Sequence, residues 1–275
     1  QNLCNLTDTL LGVNNMGQLV PGVAETWGTE DGGNTWTFNL REGVTWVDMD
    51  GNYKADCTAW DWATSLEWVL NFHKNESVST SKPIEMIAGS GDYYEWTKGL
   101  SADEALALTA KEGSKFLEMV GVEVVDNHTI VYTCTTAKPY FDSLMVNGAM
   151  FPLCNEMVEE LGVDGVKSMN NQTMWYNGPY TMTSYIRGNE KIFTKNESYW
   201  DKESSLFDTV TVKMVESNDV AFQLYGAGEL DYVILTESNV QTISGNPNHE
   251  FYDYMVPDIY GKYPYQFHFN FAKNN

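Results

Sequence analysis

The sequence predicts an α+β fold, and three observations support this prediction. Short runs with period-two alternation predict strands, and capped runs with apolar residues three and four positions apart predict helices. The two kinds of element are mixed along the chain without the regular strand–helix alternation of a parallel sheet. The 275 residues, 43% hydrophobic and 20% charged, are enough to bury a sizeable core.

The first predicted elements are a hairpin and a helix. Residues 36–40 alternate with period two and follow a turn at 31–34, which predicts the second arm of the hairpin. Thr58 and Asp61 then have the spacing of a capping box, in which the acid faces the free N–H groups of the first helical turn. The apolar positions that follow fall on one helical stripe: Trp62, Leu66, Val69 and Leu70.

The later elements are predicted in the same way. Ser101 and Glu104 repeat the capping signature before a helix that runs to about Met119. Two more helices are predicted at 155–162 and 217–225. Short alternating or apolar runs predict the remaining strands, which are 122–124, 129–134, 180–185, 191–194, 210–215, 231–235 and 263–269.

The charge balance excludes one class of function. The chain has 16 Lys and Arg against 38 Asp and Glu, for a net charge of −22. A phosphate backbone needs clustered basic side chains, and the arginines are only Arg41 and Arg187, so nucleic acid is not an expected partner. The same acidity disfavours a peripheral site on an anionic membrane.

Motifs for catalysis or metal binding are absent or incomplete. The four cysteines are far apart without a CxxC pair, which favours buried free thiols over a disulfide framework. Residues 48–52 resemble a calcium loop, but the glycine comes too early and Ala59 stands where the bidentate Glu belongs, which favours an acidic surface turn. Nucleophile-elbow and dinucleotide signatures also fail. We therefore expect no catalytic residue, no metal and no cofactor.

Six non-catalytic motifs occur in one order along the whole chain. In this order, they resemble the motifs of the oligopeptide, dipeptide and nickel class (family 5) of extracellular solute-binding proteins of bacterial ABC transporters. That family has a Pro-Gly-x-Ala-Glu-x-Trp turn, a strand ending in Leu-Arg-x-Gly-Val, and later Thr-Ala-x-Asp, Gly-Pro-Tyr, Asn-x-x-Tyr-Trp and Gly-Glu-hydrophobic-Asp motifs. The matching segments here are 21–27, 36–44, 58–61, 177–180, 196–200 and 228–231.

The resemblance implies a periplasmic-binding-protein-like type II fold. In that fold, residues 8–138 are expected to form the extra small α+β domain of the peptide-binding class, and residues 1–7 plus 139–275 the core of the N-terminal, ligand-facing lobe. The chain would then be a fragment that lacks the C-terminal lobe. Each motif has a structural reason as well; Arg41, for example, is expected to pair with a local carboxylate at the end of its strand.

The function implied by the resemblance is capture of a solute without catalysis. Two lobes close on an oligopeptide or dipeptide and present it to a membrane permease. Two alternatives remain: the same fold with an oligosaccharide, nickel chelate or opine, and a secreted hydrolase. The full-length protein is expected to be a monomer on the extracellular face of the membrane, lipid-anchored, or in the periplasm.

Three residues near the end of the chain are expected to lie close to the solute. Tyr260, Gln266 and His268 lie on or just before the last predicted strand, which enters the hinge in relatives. A structural role in that strand is the alternative for each of them.

Overall fold

The computed structural model of the protein describes residues 3–75 and 80–256. The chain divides into two compact units, Gln1–Lys213 and Met214–Asn275. The first unit holds a large hydrophobic core, and its largest fully buried side chains include Trp46, Trp62 and Tyr132.

An antiparallel four-stranded sheet lies at the centre of the first unit. Its strands, in order across the sheet, are β3 (Ala24–Gly28), β4 (Thr35–Leu40), β8 (Thr129–Thr133) and β7 (Val122–Asp126). The predicted strand at 36–40 is confirmed as part of β4, and the hairpin predicted at 122–134 is confirmed as β7 and β8, with Trp36 opposite Tyr132. The other strands of this part of the chain are β1 Leu11–Val13, β2 Leu19–Pro21, β5 Thr45–Val47 and β6 Tyr53–Asp56.

The short helix α1 spans Leu3–Leu6. The first long helix, α2, spans Ala59–Leu70 and has the predicted capping box. The Asp61 carboxylate accepts the backbone N–H of Thr58 at 2.9 Å. Most residues of α2 are buried, so this helix lies within the hydrophobic core and not on the surface of the protein.

The helix predicted from Ser101 to about Met119 is interrupted in the structure. It is replaced by α5, Ala102–Leu106, and α6, Lys115–Met119. Gly113 has a φ of 71° in the left-handed region, and Ser114 caps α6 by accepting from the N–H of Leu117. Helix α5 already ends at Leu106, and the left-handed Gly113 keeps α6 from extending back towards it. The two helices before this pair are α3, Ser81–Met86, and α4, Ser90–Lys98.

Helix α7, Asn155–Lys167, has a kink near its middle. Gly162, where the sequence predicts the end of this helix, has a non-helical φ of 64°, and helical structure resumes after it. The predicted stop is therefore a kink. Two 3-10 helices, Phe141–Val146 and Gly148–Met150, precede α7.

A second sheet has the antiparallel order β11-β10-β9 and contains strands predicted from the sequence. These strands are β9 Tyr180–Ile186, β10 Glu190–Lys195 and β11 Thr209–Lys213. A small buried cluster of Leu6, Val47, Tyr176 and Phe193 packs beside it.

The second unit is described from Met214 to Val256. It contains α8, Asn218–Gly226, as predicted, α9, Glu237–Ser244, and a 3-10 helix, Tyr252–Tyr254. The strand predicted at 231–235 was wrong, because these residues have no regular secondary structure and Tyr232 is 79% exposed. Within the described residues no strand pairs with this segment, and a single strand leaves its backbone groups without partners.

The predicted boundary near residue 138 lies inside the first unit. Phe141 packs against Trp36 and Tyr132, with ring centroids 6.3 and 5.6 Å apart, so the core continues across this position. The division into 8–138 and 1–7 plus 139–275 stays a prediction. The expectation of buried free thiols is confirmed for Cys57, Cys134 and Cys154, and Cys4 is exposed.

Candidate functional site

A cleft lies within the described part of the second unit. Its volume is about 860 Å³, within the usual range of roughly 300–1,000 Å³ for small-molecule sites. Aromatic and aliphatic side chains make up most of its wall, which is lined by Phe222, Tyr225, residues 231–235, Val240, Ile243, Phe251, Tyr254, Met255 and Val256.

Capped helices position the side chains of this cleft. The Ser217 hydroxyl accepts the N–H of Val220 and starts α8, and the Thr236 hydroxyl accepts the N–H of Asn239 and starts α9. Thr236 also donates to the Asp219 carboxylate at 3.3 Å, which ties the two helix starts together. Serine and threonine at this position satisfy N–H groups that a helix leaves free.

Phe251 is the centre of an aromatic cluster on one wall of the cleft. Its ring lies 5.8 Å from that of Phe222 and 5.1 Å from that of Tyr225, both in edge-to-face geometry. The backbone N–H of Phe251 donates to Nδ1 of His249 at 3.2 Å, which fixes the turn before it. Edge-to-face pairs add about 0.5–1.5 kcal/mol beyond the burial of their area, so these contacts stabilise this wall.

The cleft offers apolar contact and few polar groups. Asp231 is the one carboxylate among its described lining residues, and they include no His, Cys or Lys. Acid–base or nucleophilic catalysis needs a base or nucleophile placed against a second polar group. The described wall is therefore suited to holding an apolar group.

The three residues expected near the solute, Tyr260, Gln266 and His268, lie outside the described residues. The structure neither brings them together nor separates them. The sequence reasoning missed the aromatic wall around Phe251, although the apolar run at 232–235 and the closely spaced aromatic residues on both sides of it were a detectable signal.

In the first unit, several of the family-like motifs meet at Asp8. The Asp8 carboxylate accepts the indole N–H of Trp200 at 2.7 Å and the hydroxyl of Tyr199 at 3.1 Å. The Asp8 N–H donates to the side-chain oxygen of Asn177 at 2.9 Å. Burial raises the pKa of Asp8, and the hydrogen bonds from Trp200 and Thr9 oppose that shift.

Arg41 joins the same group of contacts. Its guanidinium lies 3.9 Å from the centre of the Trp200 ring, and its Nε donates to the Gly22 carbonyl at 2.8 Å. It also pairs with the local carboxylate of Glu25 at 3.2 Å, as the sequence predicts. Segments 21–27, 36–44, 177–180 and 196–200 are thus joined by a structural cluster.

A second buried carboxylate, Asp61, lies next to a thiol and another acid. Asp61, Cys154 and Glu156 each present an atom within 4.8 Å of the others, a spacing that could suit a metal ion. However, the Asp61 oxygens accept three hydrogen bonds, from the Trp46 indole at 2.9 Å, the Thr58 N–H at 2.9 Å and the Asn155 N–H at 2.8 Å. Burial raises its pKa to about 7. These contacts show a structural role, in which Asp61 holds the starts of α2 and α7.

The calcium-like turn is an acidic surface turn, as predicted. The Asp48 carboxylate accepts the N–H groups of Asp50 at 3.0 Å and Asn52 at 2.9 Å and the Asn52 side-chain amide, so it is engaged within its own loop.

Across the described ranges, no helix combines the length and the apolar character that crossing a membrane requires.

The sequence model of the family described as "Bacterial extracellular solute-binding proteins, family 5 Middle" matches residues 18–275. Oligopeptide-binding protein AmiA of Streptococcus pneumoniae is 30% identical over 215 residues, which are 78% of this chain and 30% of that protein. Periplasmic oligopeptide-binding protein OppA of Escherichia coli is 26% identical over 215 residues, which are 78% of this chain and 35% of that protein. The chain spans about a third of the length of these curated relatives.

Solved structures of similar fold agree with the sequence matches. The structure of Listeria monocytogenes OppA bound to peptide has a TM-score of 0.69 and 21% identity, and the match covers 90% of this chain and 44% of that chain. Haemophilus influenzae OppA in complex with the peptide RPPGFSPFR has a TM-score of 0.65 and 24% identity, covering 84% and 40%. The predicted α+β, periplasmic-binding-protein-like type II fold is confirmed. The chain belongs to family 5 of the bacterial extracellular solute-binding proteins.

Proposed function

We propose that the chain is part of a protein that captures an oligopeptide or dipeptide and delivers it to the permease of an ABC importer. The observation that carries this proposal is the family match over residues 18–275. The oligopeptide-binding names of AmiA and OppA support a peptide over the other solutes of the class. We place the full-length protein outside the cytoplasm, either lipid-anchored on the cell surface or in the periplasm, as a monomer.

The proposed mechanism is binding without chemistry. A two-lobe protein closes on its solute and buries it, and the permease recognises the closed form. An extended peptide can be held by hydrogen bonds from strand edges to its backbone, a mode that is independent of side-chain identity. Hydrated pockets then accommodate different side chains. Binding in this way needs no acid, base or nucleophile, consistent with the described lining of the cleft.

Tyr260, Gln266 and His268 are proposed to contribute to the binding surface. A tyrosine offers an apolar ring with a polar end, and glutamine and histidine can donate to or accept from a peptide backbone. Because neither Gln266 nor His268 is needed to anchor a charged terminus in this proposal, replacing either should weaken binding by only about 1 kcal/mol per lost hydrogen bond.

The test uses purified full-length protein, a panel of peptides and a matched panel of oligosaccharides. Calorimetry should detect binding of peptides and no binding of oligosaccharides. A peptide at a hundredfold excess over its Kd should raise the free energy of unfolding of the protein by about 2.7 kcal/mol. Mass spectrometry of each incubated solute gives the control, since a binder returns it unchanged. Conversion of a peptide or sugar by clean protein would support the hydrolase alternative, and sugar binding alone would move the proposal to another solute of the class.

A further inference from the structure

The dipeptide Asn-Gly occurs at two places in the sequence, Asn147-Gly148 and Asn177-Gly178. In this dipeptide the side-chain amide of the asparagine is open to attack by the next backbone nitrogen, because glycine has no Cβ to block the approach. The two copies share this local chemistry but have opposite surroundings in the structure. They therefore show what the fold adds to the chemistry of the dipeptide.

The copy at 177 is held by hydrogen bonds in the interior. Asn177 is 1% exposed, its side-chain oxygen accepts the Asp8 N–H at 2.9 Å, and its amide donates to Sγ of Cys57 at 3.5 Å. The Gly178 N–H donates to the Leu6 carbonyl at 3.1 Å. The side-chain amide and the backbone nitrogen that would attack it are thus both engaged.

The copy at 147 is exposed to solvent, where the second 3-10 helix, Gly148–Met150, begins. The side-chain oxygen of Asn147 accepts the Ala149 N–H at 3.1 Å, and the side chain has no other hydrogen bond within the described ranges. Gly148 is the first residue of the helix, so its N–H has no partner inside the helix, and it donates to no described residue elsewhere. A three-residue helix at the surface can open locally and allow the backbone rotation that the attack requires.

We propose that Asn147 is a site of spontaneous deamidation. The Gly148 nitrogen gives its proton to water and attacks Cγ of Asn147. A C–N bond forms, the bond from Cγ to Nδ2 breaks, and ammonia leaves, which produces a five-membered succinimide. Water then opens the ring, at Cγ to give aspartate or at the backbone carbonyl to give isoaspartate. The net reaction consumes one water and releases one ammonia.

The modification would alter contacts with the core. The backbone carbonyl of Asn147 accepts the Met150 N–H at 2.8 Å, and both Ala149 and Met150 are buried. Isoaspartate lengthens the main chain after residue 147 by one carbon, so the bonds to Ala149 and Met150 cannot both keep their present geometry. This inference does not depend on the proposed function, because it concerns the chain's own chemistry and no solute.

Incubation of the purified 275-residue chain at mildly alkaline pH tests this inference. Peptide mapping by mass spectrometry follows the change from amide to acid at Asn147 and at Asn177, which is the matched control in the same sample. Electron-based fragmentation separates aspartate from isoaspartate. Asn147 should convert at least about tenfold faster, since the buried dipeptide reacts only after the structure around it opens. Equal rates, or a faster reaction at Asn177, would overturn the proposal.

The same incubation in urea shows whether the fold causes the difference. In the unfolded chain both dipeptides are accessible, and their rates should become similar. A difference as large as that in the folded protein would show that the neighbouring residues in the sequence set the rate, and this result would count against a role for the exposure of Asn147.

Gly148→Ala tests the identity of the attacking group in a folded protein. A Cβ at Gly148 would meet no atom of the described residues within 4 Å, whereas a Cβ at Gly178 would lie 2.6 Å from the backbone carbon of Leu6. The added methyl group hinders the backbone nitrogen, so conversion at Asn147 should fall several-fold while the Tm stays unchanged. An unchanged conversion rate would mean that the nitrogen of residue 148 is not the attacking group, and the proposed reaction would be wrong.

Discussion

The two units of this protein differ in how much apolar surface they bury. In the first unit, Trp46, Trp62, Tyr93 and Tyr132 are fully buried in one large core. In the described part of the second unit, Ala221 and Ile243 are the buried apolar residues, and several large apolar side chains are exposed. The first unit thus buries a large apolar core, whereas the described part of the second unit buries few apolar side chains.

The first prediction concerns a buried ion pair in the first unit. The Lys74 ammonium lies 2.6 Å from the Glu67 carboxylate, both side chains are almost inaccessible, and Tyr93 donates to the same carboxylate at 2.9 Å. Lys74→Ala leaves that charge buried without its cation and should destabilise the protein by about 3–5 kcal/mol.

The matched control for Lys74 is an exposed pair in the same unit. Lys115 and Glu118 are 3.0 Å apart, and their side chains are 49% and 59% exposed. Lys115→Ala should change the free energy of unfolding by less than about 1 kcal/mol. Urea unfolding measures both variants, and equal effects would mean that the interior of the first unit is less closed than the structure indicates.

The second prediction concerns the pH dependence of that core through Asp61. Burial raises its folded-state pKa from 3.8 to about 7, so the folded protein binds the proton more tightly than the unfolded chain. The contribution of this group to stability is complete below pH 3.8 and is lost as the pH rises to about 7. The slope in that window is about 1.4 kcal/mol per pH unit for one proton.

Asp61→Asn removes this titration and provides the comparison. Urea unfolding at several pH values between 4 and 8 should show that wild-type stability falls relative to that of the variant as the pH rises. Parallel pH profiles for the two proteins would contradict the raised pKa of Asp61.

The third prediction compares the two units directly by hydrogen exchange. Amides of β4 and β8 lie in the middle of the central sheet and should open only with global unfolding, whereas those of α8 and α9 should open by local fluctuation. Because local opening free energies range from near zero to the global value, the difference should exceed about 1 kcal/mol. Equal protection in both regions would show that the second unit is as well packed as the first.

The fourth prediction concerns binding by the 275-residue chain, which spans about a third of the length of its curated relatives. Association costs an estimated 4–15 kcal/mol in translational and rotational freedom, and hydrogen bonds from one lobe offset only about 1 kcal/mol each. We expect peptide binding no tighter than about millimolar. Calorimetry with the best ligand of the full-length protein measures this, and micromolar binding would mean that the chain contains a complete site.

Local signals predicted elements of the first unit well because neighbouring residues determine them. The Thr58–Asp61 capping box is an interaction over three positions, and the alternation in β4 follows from the pleat of a strand. The single helix predicted from Ser101 to Met119 was wrong: the chain leaves the helix after Leu106, and the left-handed Gly113 separates the second helix from the first. The strand predicted at 231–235 failed for a different reason: an apolar run becomes a strand only when a partner satisfies its backbone.

The candidate site was less predictable than the fold. The aromatic wall around Phe251 forms because Phe222 and Tyr225 of α8 pack against Phe251. The spacing of aromatic residues along the chain signals such a wall but does not specify which rings meet. Tyr260, Gln266 and His268 rest on the family resemblance and stay predictions.

The sequence by itself determined the family, the fold class, the helix caps and the antiparallel hairpins, because these depend on residue order and on contacts between near neighbours. Only the tertiary structure decided that Asp8, Arg41 and Trp200 form one cluster across 192 positions, since long-range side-chain contacts follow from packing. It likewise decided that Asp61 holds the starts of two helices and that the second unit has an open apolar cleft. Burial and hydrogen bonding between distant segments set these features, and residue spacing does not record them.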